Sequence, residues 1–122
     1  MVNLPLTTSH IVKYDLWVHI VTRKHLREAM KSYPDAANEI KAWTTIVEAV
    51  HWRNFDDVRG TFKDADLVDG YVIFNIRHNR YRLVTAIHYA KTMDKRQTLG
   101  HVYIRSFWTH KEYDNRRNWD RR

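Results

Sequence analysis

The spacing of hydrophobic residues changes period along the chain. Trp17 to Thr22 (Trp-Val-His-Ile-Val-Thr) is β-branched and aromatic and too short for a helix, which predicts a first strand. In the leader before it, Met1 to Leu16, the residues Ile11, Val12, Tyr14 and Leu16 can extend that strand, whereas Leu4-Pro5 and Thr7-Thr8-Ser9 read as loose chain. Arg23 to Ser32 is made of good helix formers with Leu26 and Met30 one turn apart, and Tyr33-Pro34 stops the helix because a residue before proline avoids the α region. Asp35 is then placed to cap a second helix, in which Ala36, Ile40, Trp43, Val47 and Val50 recur every three or four residues and form one core-facing stripe. Asn54-Phe55-Asp56-Asp57 can start a further helical turn reaching Phe62, and Lys63 to Gly70 reads as an acidic connector.

Beyond Gly70 the period falls to two. Tyr71 to Ile76, Tyr81 to Tyr89 and His101 to Trp108 are rich in strand formers, and they are joined by the turn Arg77-His78-Asn79-Arg80 and by a polar loop from Ala90 to Gly100. Such a series predicts an antiparallel meander. The fold class that follows is α+β, an antiparallel sheet with helices packed on one face and the other face left for function. Residues 1–16 form an extension, 17–114 the domain, and 115–122 a short basic and aromatic tail.

Composition narrows the classes. A chain of 122 residues and 14.8 kDa supports one core, and 43% hydrophobic residues with only 3 Gly and 2 Pro exclude a disordered or low-complexity chain. The absence of Cys excludes disulfides, thiolate zinc sites and a Cys nucleophile, and suits a reducing cytoplasm. No apolar run approaches the roughly 20 residues of a membrane helix, and Met1 to Ser9 lacks the basic flank and apolar stretch of a secretory signal. The expectation is a soluble cytoplasmic protein. Charge adds a direction: the net is +7, with 8 basic and 7 acidic residues up to Thr61 against 13 basic and 7 acidic from Phe62 onward. A positive second half favours an anionic partner, nucleic acid above all, with a solubilising surface or an acidic protein partner as the alternatives.

Two segments concentrate chemistry. Alternation along the third strand segment puts Tyr81, Leu83, Thr85 and Ile87 on one face and Arg82, Val84, Ala86 and His88 on the other. Arg82 thus sits mid-strand among apolar neighbours, where a permanently charged guanidinium needs either a carboxylate or a phosphate. Arg77, His78 and Arg80 in the preceding turn extend the same positive field or form a solvated hairpin tip. After the last strand, Thr109-His110-Lys111-Glu112-Tyr113-Asp114 combines a proton carrier, a cation and a stacking ring. The same segment has the Thr-x-x-Glu spacing of a capping box, and a capped turn would hold His110 and Tyr113 in fixed directions. Eight His fall in none of the usual zinc spacings, and Asp64, Asp66 and Asp69 lack the further ligands of a calcium loop. With 3 Gly, a phosphate-cradling glycine loop can hardly be built. Trp17 and Trp43 are placed for core packing; Trp108 and Trp119 are candidates for base stacking.

Taken together, Val-His-Ile-Val-Thr-Arg-Lys-His-Leu-Arg (18–27), Ala-Trp (42–43), Val-Ile-Phe-Asn-Ile (72–76), Asn-Arg-Tyr-Arg-Leu-Val (79–84), Val-Tyr-Ile-Arg (102–105) and Thr-His-Lys-Glu-Tyr-Asp (109–114) resemble the HigB toxin family of the RelE-like superfamily. The resemblance spans about Trp17 to Asp114. It implies a small RelE-like α+β domain and an mRNA interferase, an endoribonuclease that cuts mRNA, usually on the ribosome, and is neutralised by a HigA-like antitoxin; contact with DNA would come only through the antitoxin. It further implies Arg82 at the scissile phosphate and His110 and Tyr113 as catalytic or base-stacking groups. The positive second half, read from the residues themselves, adds Arg77, His78, Arg80, Arg105 and Lys111 as candidate RNA-binding residues. No cofactor or metal is implied. Two departures stand out: Arg77 and His78 occupy positions where many relatives have Gly-Gly, and most relatives lack the 1–16 extension. A non-catalytic RNA- or acidic-protein-binding module using the same basic face is the rival reading.

Overall fold

The computed structural model describes residues 18–93, 96–98 and 100–119. The leader 1–16 and the core role expected of Trp17 lie outside the described residues. The elements are β1 (His19–Val21), α1 (Lys24–Ser32), a 3-10 turn (Pro34–Ala36), α2 (Ala37–Ala49), α3 (Phe55–Thr61), β2 (Asp66–Val68), β3 (Tyr71–Ile76), β4 (Tyr81–His88), β5 (Lys91–Met93), β6 (Arg96–Thr98), β7 (His101–Thr109), α4 (His110–Asp114) and α5 (Arg116–Trp119). Five strands form one sheet in the order β1-β7-β4-β3-β2. β1 runs parallel to β7, and the other pairs are antiparallel.

Helices α1, α2 and α3 cover one face of this sheet. From α1 and α2 the buried side chains are Leu26, Ala29, Ile40, Trp43 and Val47, and they meet Val72, Phe74, Ile76, Leu83, Val102 and Ile104 from the strands. Phe74 is the hub: Trp43 meets it edge-on at 5.3 Å, Phe62 edge-on at 5.1 Å, and Trp52 stacks on it at 6.2 Å. Such offset and edge-on pairs add attraction beyond the area they bury. Trp52 also directs its indole N–H to Thr61 Oγ1 at 3.1 Å, which ties the entry of α3 to its end. The Asn54 side chain caps α3 by accepting from the Asp57 N–H at 3.0 Å.

Three local expectations are corrected. Asp35 does not cap α2: Pro34 opens a 3-10 turn, Ala36 takes the cap position without a side-chain bond, and the Asp35 carboxylate reaches the sheet instead. There it accepts from Arg80 Nη1 at 2.7 Å and from the Tyr81 hydroxyl at 2.9 Å. The connector after α3 contains a short edge strand, β2, because residues 66–68 find a partner in β3. The loop after β4 contains the two-stranded ribbon β5–β6, whose pairing lies outside the main sheet. In both cases the partner strand decides, and a short polar segment carries little periodic signal of its own.

Two turns set the ends of β4. Arg77 and His78 both adopt left-handed backbone, with φ of 55° and 57°, the conformation glycine takes most easily. Helix α2 braces this turn, since Glu39 accepts from the Arg77 N–H at 3.0 Å while Asp35 holds Arg80 and Tyr81. At the other end, Gly100 has φ +91°, and a Cβ there would lie 2.1 Å from the His88 carbonyl oxygen, so only glycine admits this approach.

Two stability outcomes follow. Ile40→Val, in the filled core, should lower the unfolding free energy by about 1 kcal/mol in urea titration, whereas Ile46→Val, at a position 40% exposed, should leave it nearly unchanged. Asp35→Asn should lower the urea midpoint at neutral pH. The hydrogen bonds from Arg80 and Tyr81 hold the Asp35 carboxyl below its ordinary value. Its stabilisation is therefore full above the unfolded value of about 3.9 and is lost as pH falls through the lower folded value, so wild type and variant should converge in strong acid.

Candidate RNA-cleavage site

The face opposite α1, α2 and α3 carries a second, smaller cluster. Ile73 of β3 and Val84 of β4 are buried there beneath Trp119, with Val68, Tyr71, Trp108 and Tyr113 around them. The short segment after β7 makes this possible. Thr109 accepts from the Glu112 N–H at 3.1 Å, and the Glu112 carboxylate accepts from the Thr109 N–H at 2.9 Å, a complete capping box that fixes the start of α4. The His110 N–H donates to the Arg80 carbonyl at 3.0 Å, which ties α4 to the turn before β4. Trp119 then folds back and gives its indole N–H to the Tyr113 carbonyl at 2.7 Å. Trp119 is only 5% exposed, so it serves as the floor under Tyr113 rather than as a ring offered to bases. Trp108, half-buried, packs edge-on against it at 5.5 Å.

Arg82 stands on this face as the alternation demands, opposite Asn75 on β3 and Trp108 on β7. Its guanidinium carbon lies 5.4 Å from the centre of the Tyr113 ring. Among the described residues its one hydrogen bond goes to the neighbouring Tyr81 carbonyl, at 3.3 Å. Among the described residues no carboxylate is within ion-pair distance of Arg82. Of the two partners weighed for this guanidinium, a carboxylate in the same chain is therefore absent from the described residues.

A pocket of about 370 Å³ opens beside Arg82 and Tyr113, walled by Arg59, Asp64, Asp66 and Asn75. Both carboxylates already hold local bonds: Asp64 accepts from the Asn75 amide at 3.1 Å, and Asp66 from the Leu67 N–H at 2.9 Å. Arg59 donates to the Lys63 carbonyl at 3.1 Å. Sequence reasoning missed Arg59, Asp64 and Asn75 as site residues. β3–β4 pairing puts Asn75 beside Arg82, and only the end of α3 brings Arg59 to them.

The remaining candidates are spread around this centre. His110 heads α4 one turn before Tyr113 without lining the pocket; its Nδ1 meets the Asp114 carboxylate at 2.8 Å in a largely exposed pair. With Nδ1 bound in this way, Nε2 is the nitrogen left to exchange protons with a substrate. Lys111 is exposed on the same turn. Arg80 is engaged by Asp35 at 2.7 Å, a bond that raises the guanidinium further above its ordinary value. Arg77 is exposed at the turn, and His78 lines a different hollow with Glu39, Trp43 and Ile46. Arg105 lies on a β-bulge: the pairing passes from Val84–Ser106 to Thr85–Ile104, leaving Arg105 without an opposite residue, and its guanidinium sits 6.0 Å from the Tyr71 ring. Among the described residues no group of three His, Asp or Glu is arranged to hold a metal ion, and no helix is long and apolar enough to cross a membrane.

The chain is similar to known toxins. The mRNA interferase toxin HigB of Escherichia coli K12 is 26% identical over 100 residues, covering 80% of this chain and 88% of that protein. The mRNA interferase HigB of Shigella flexneri matches to the same extent. Residues 36–116 match the family model of HigB toxins, the RelE-like toxic component of a toxin-antitoxin system. That span begins just after Asp35, takes in Arg82 and runs past the helix bearing His110 and Tyr113, and on it the chain belongs to the HigB toxin family.

Proposed function

We propose that the chain is an mRNA interferase, an endoribonuclease that cleaves mRNA on the ribosome without a metal ion, acts in the cytoplasm, and is held inactive by a HigA-like antitoxin. The observation that carries this reading is the Arg82 guanidinium, fixed on the open face against Tyr113 with no carboxylate partner among the described residues. The family supports the antitoxin partner, and the names of the relatives support the RNA substrate.

RNA supplies its own nucleophile. The 2′-oxygen attacks the adjacent phosphorus and the 5′-oxygen of the next nucleotide leaves, which yields a 2′,3′-cyclic phosphate and a 5′-hydroxyl; water can later open the ring to a 3′-phosphate. The protein has to align these atoms in line, offset the charge that builds on the non-bridging oxygens, and move two protons. Arg82 takes the charge, since its donors are largely uncommitted among the described residues and its proton is never released. The Tyr113 ring limits the directions the guanidinium can take, so its position does not have to be ordered when substrate arrives. His110 takes the 2′-hydroxyl proton through Nε2, with Asp114 on the opposite nitrogen, and the Tyr113 hydroxyl gives a proton to the leaving 5′-oxygen. Lys111, Arg77, His78 and Arg105 contribute to the field that attracts the RNA backbone, whereas Arg80 acts mainly through its bond to Asp35.

Induction of the wild type in bacteria lacking the antitoxin should arrest growth and create new transcript ends bearing 5′-hydroxyls. These ends should lie inside coding regions and keep a fixed phase with the codons. Arg82→Ala and His110→Ala should each lower cleavage by about 10²-fold or more while the purified proteins keep the wild-type unfolding midpoint. New ends bearing 5′-phosphates would contradict attack by the 2′-oxygen, and ends scattered through untranslated regions would contradict action on the ribosome. Undamaged transcripts, with soluble folded wild type that still binds RNA, would establish the non-catalytic binder instead.

A further inference from the structure

The open face holds a second cluster that cleavage at Arg82 does not use. At the far end of β4 and β7 a chain of rings runs across the strands: His88 meets Tyr103 edge-on at 4.9 Å, Tyr103 stacks against His101 at 5.9 Å, and His101 meets His19 of β1 edge-on at 5.4 Å. His88 is exposed, and His101 and Tyr103 are half-buried. A pocket of about 690 Å³ opens beside these rings, and Arg53 and Lys91 line it together with His88, His101 and Tyr103. Among the described residues no Asp or Glu lines this pocket, whereas two carboxylates line the one at Arg82. Asp57 engages Arg53 from outside the lining at 3.2 Å, and Lys91 has no ion-pair partner among the described residues.

The chemistry selects the ligand. Lys91, with the Asp57-held Arg53 beside it and no carboxylate in the wall among the described residues, favours an anion, and a run of aromatic edges and faces favours a flat ring; a nucleotide presents both. Arg82 and His88 lie on the same face of β4, six residues apart, a separation of about 20 Å along an extended strand. Between the two ends stands Arg105, exposed on its bulge and able to meet a passing phosphate. We propose that this far end is a second nucleotide subsite for the same single-stranded RNA whose scissile phosphate sits at Arg82. Tyr103 and His88 stack on the base, and Lys91 and Arg53 face its phosphate. The proposal rests on the reading of Arg82 as the phosphate-holding residue, and it turns the open face into a track rather than a single point.

The test is the affinity of a fluorescently labelled single-stranded RNA of about ten nucleotides, with 2′-fluoro groups that remove the nucleophile, measured by anisotropy. The pair His88→Ala with Tyr103→Leu should bind about tenfold more weakly than wild type, and Tyr103→Phe, which keeps the ring, should bind like wild type. Lys91→Glu, an exposed change that disturbs no packing, should weaken binding as well and decides the matter should Tyr103→Leu fail to fold. Arg82→Ala should weaken binding separately, and combining it with His88→Ala and Tyr103→Leu should multiply the two losses, because the ends are far apart. Wild-type affinity in both the ring pair and Lys91→Glu, with Arg82→Ala impaired, would overturn the second subsite and leave the cleavage site standing. Impaired ring variants with Arg82→Ala unaffected would support the subsite as an RNA contact and overturn the reading of Arg82.

Discussion

Alternation along β4 is the constraint from which the rest of this molecule follows. Tyr81, Leu83 and Thr85 are buried toward the helices, so the residues between them have to face the other way. Thr85 reinforces the choice by giving its hydroxyl proton to the Val72 carbonyl at 2.9 Å. A slip of one residue would drive the Arg82 guanidinium into the core around Phe74, where it would find no anion, and would expose Leu83 to water. The hydrophobic pattern of one strand therefore both closes the core and delivers a fixed cation to the opposite face. The turn ahead of β4 guards that register: Asp35 and Glu39 grip it from the helical layer, and the ring of Tyr81 packs between Tyr33 and Phe107 at 4.8 and 5.2 Å.

The open face would be a bare sheet without the segment that follows β7. The capping box at Thr109 starts α4, the return of the chain lays Trp119 over Ile73 and Val84, and Tyr113 is supported against Arg82. This small cluster gives the cation a rigid wall on one side and leaves the pocket on the other. Because the floor covers only one part of the sheet, the face divides into two chemically different ends. Near Arg82 are mixed charges with their own local bonds; near Tyr103 are rings and cations with no carboxylate in the lining among the described residues. A polyanion carrying flat bases matches that sequence of surfaces better than a small molecule does, since it can use both ends at once.

Much of this was legible in the residues. The strands carrying Val72, Leu83 and Val102, the stripe from Ala36 to Val50, the Asn54 start of α3 and the Thr109–Glu112 box are all local patterns, and local patterns survive into the fold when nothing in tertiary structure opposes them. The exposure of Arg82 on the face away from the helices follows from the same alternation. What was not legible depends on contacts distant in sequence. Asp35 looks like a cap until the turn of Arg80 arrives 45 residues later to claim it. β2 and the β5–β6 ribbon are three-residue strands defined only by their partners. Trp119 reads as a tail residue suited to stacking on a base until it folds back beneath Tyr113. Arg59 and Asn75 carry no motif and become neighbours of Arg82 only through the packing of α3 and β3.

The most direct measurement of whether the open face is the RNA-binding surface is a nuclear magnetic resonance titration with a 2′-fluoro RNA strand. The Arg82 side-chain Nε–H and the Tyr113 ring protons should shift most, and the exposed side of α1 and α2 should stay unchanged. Shifts confined to that helical side, with Arg82 and Tyr113 unmoved at saturation, would contradict the assignment of the open face to RNA.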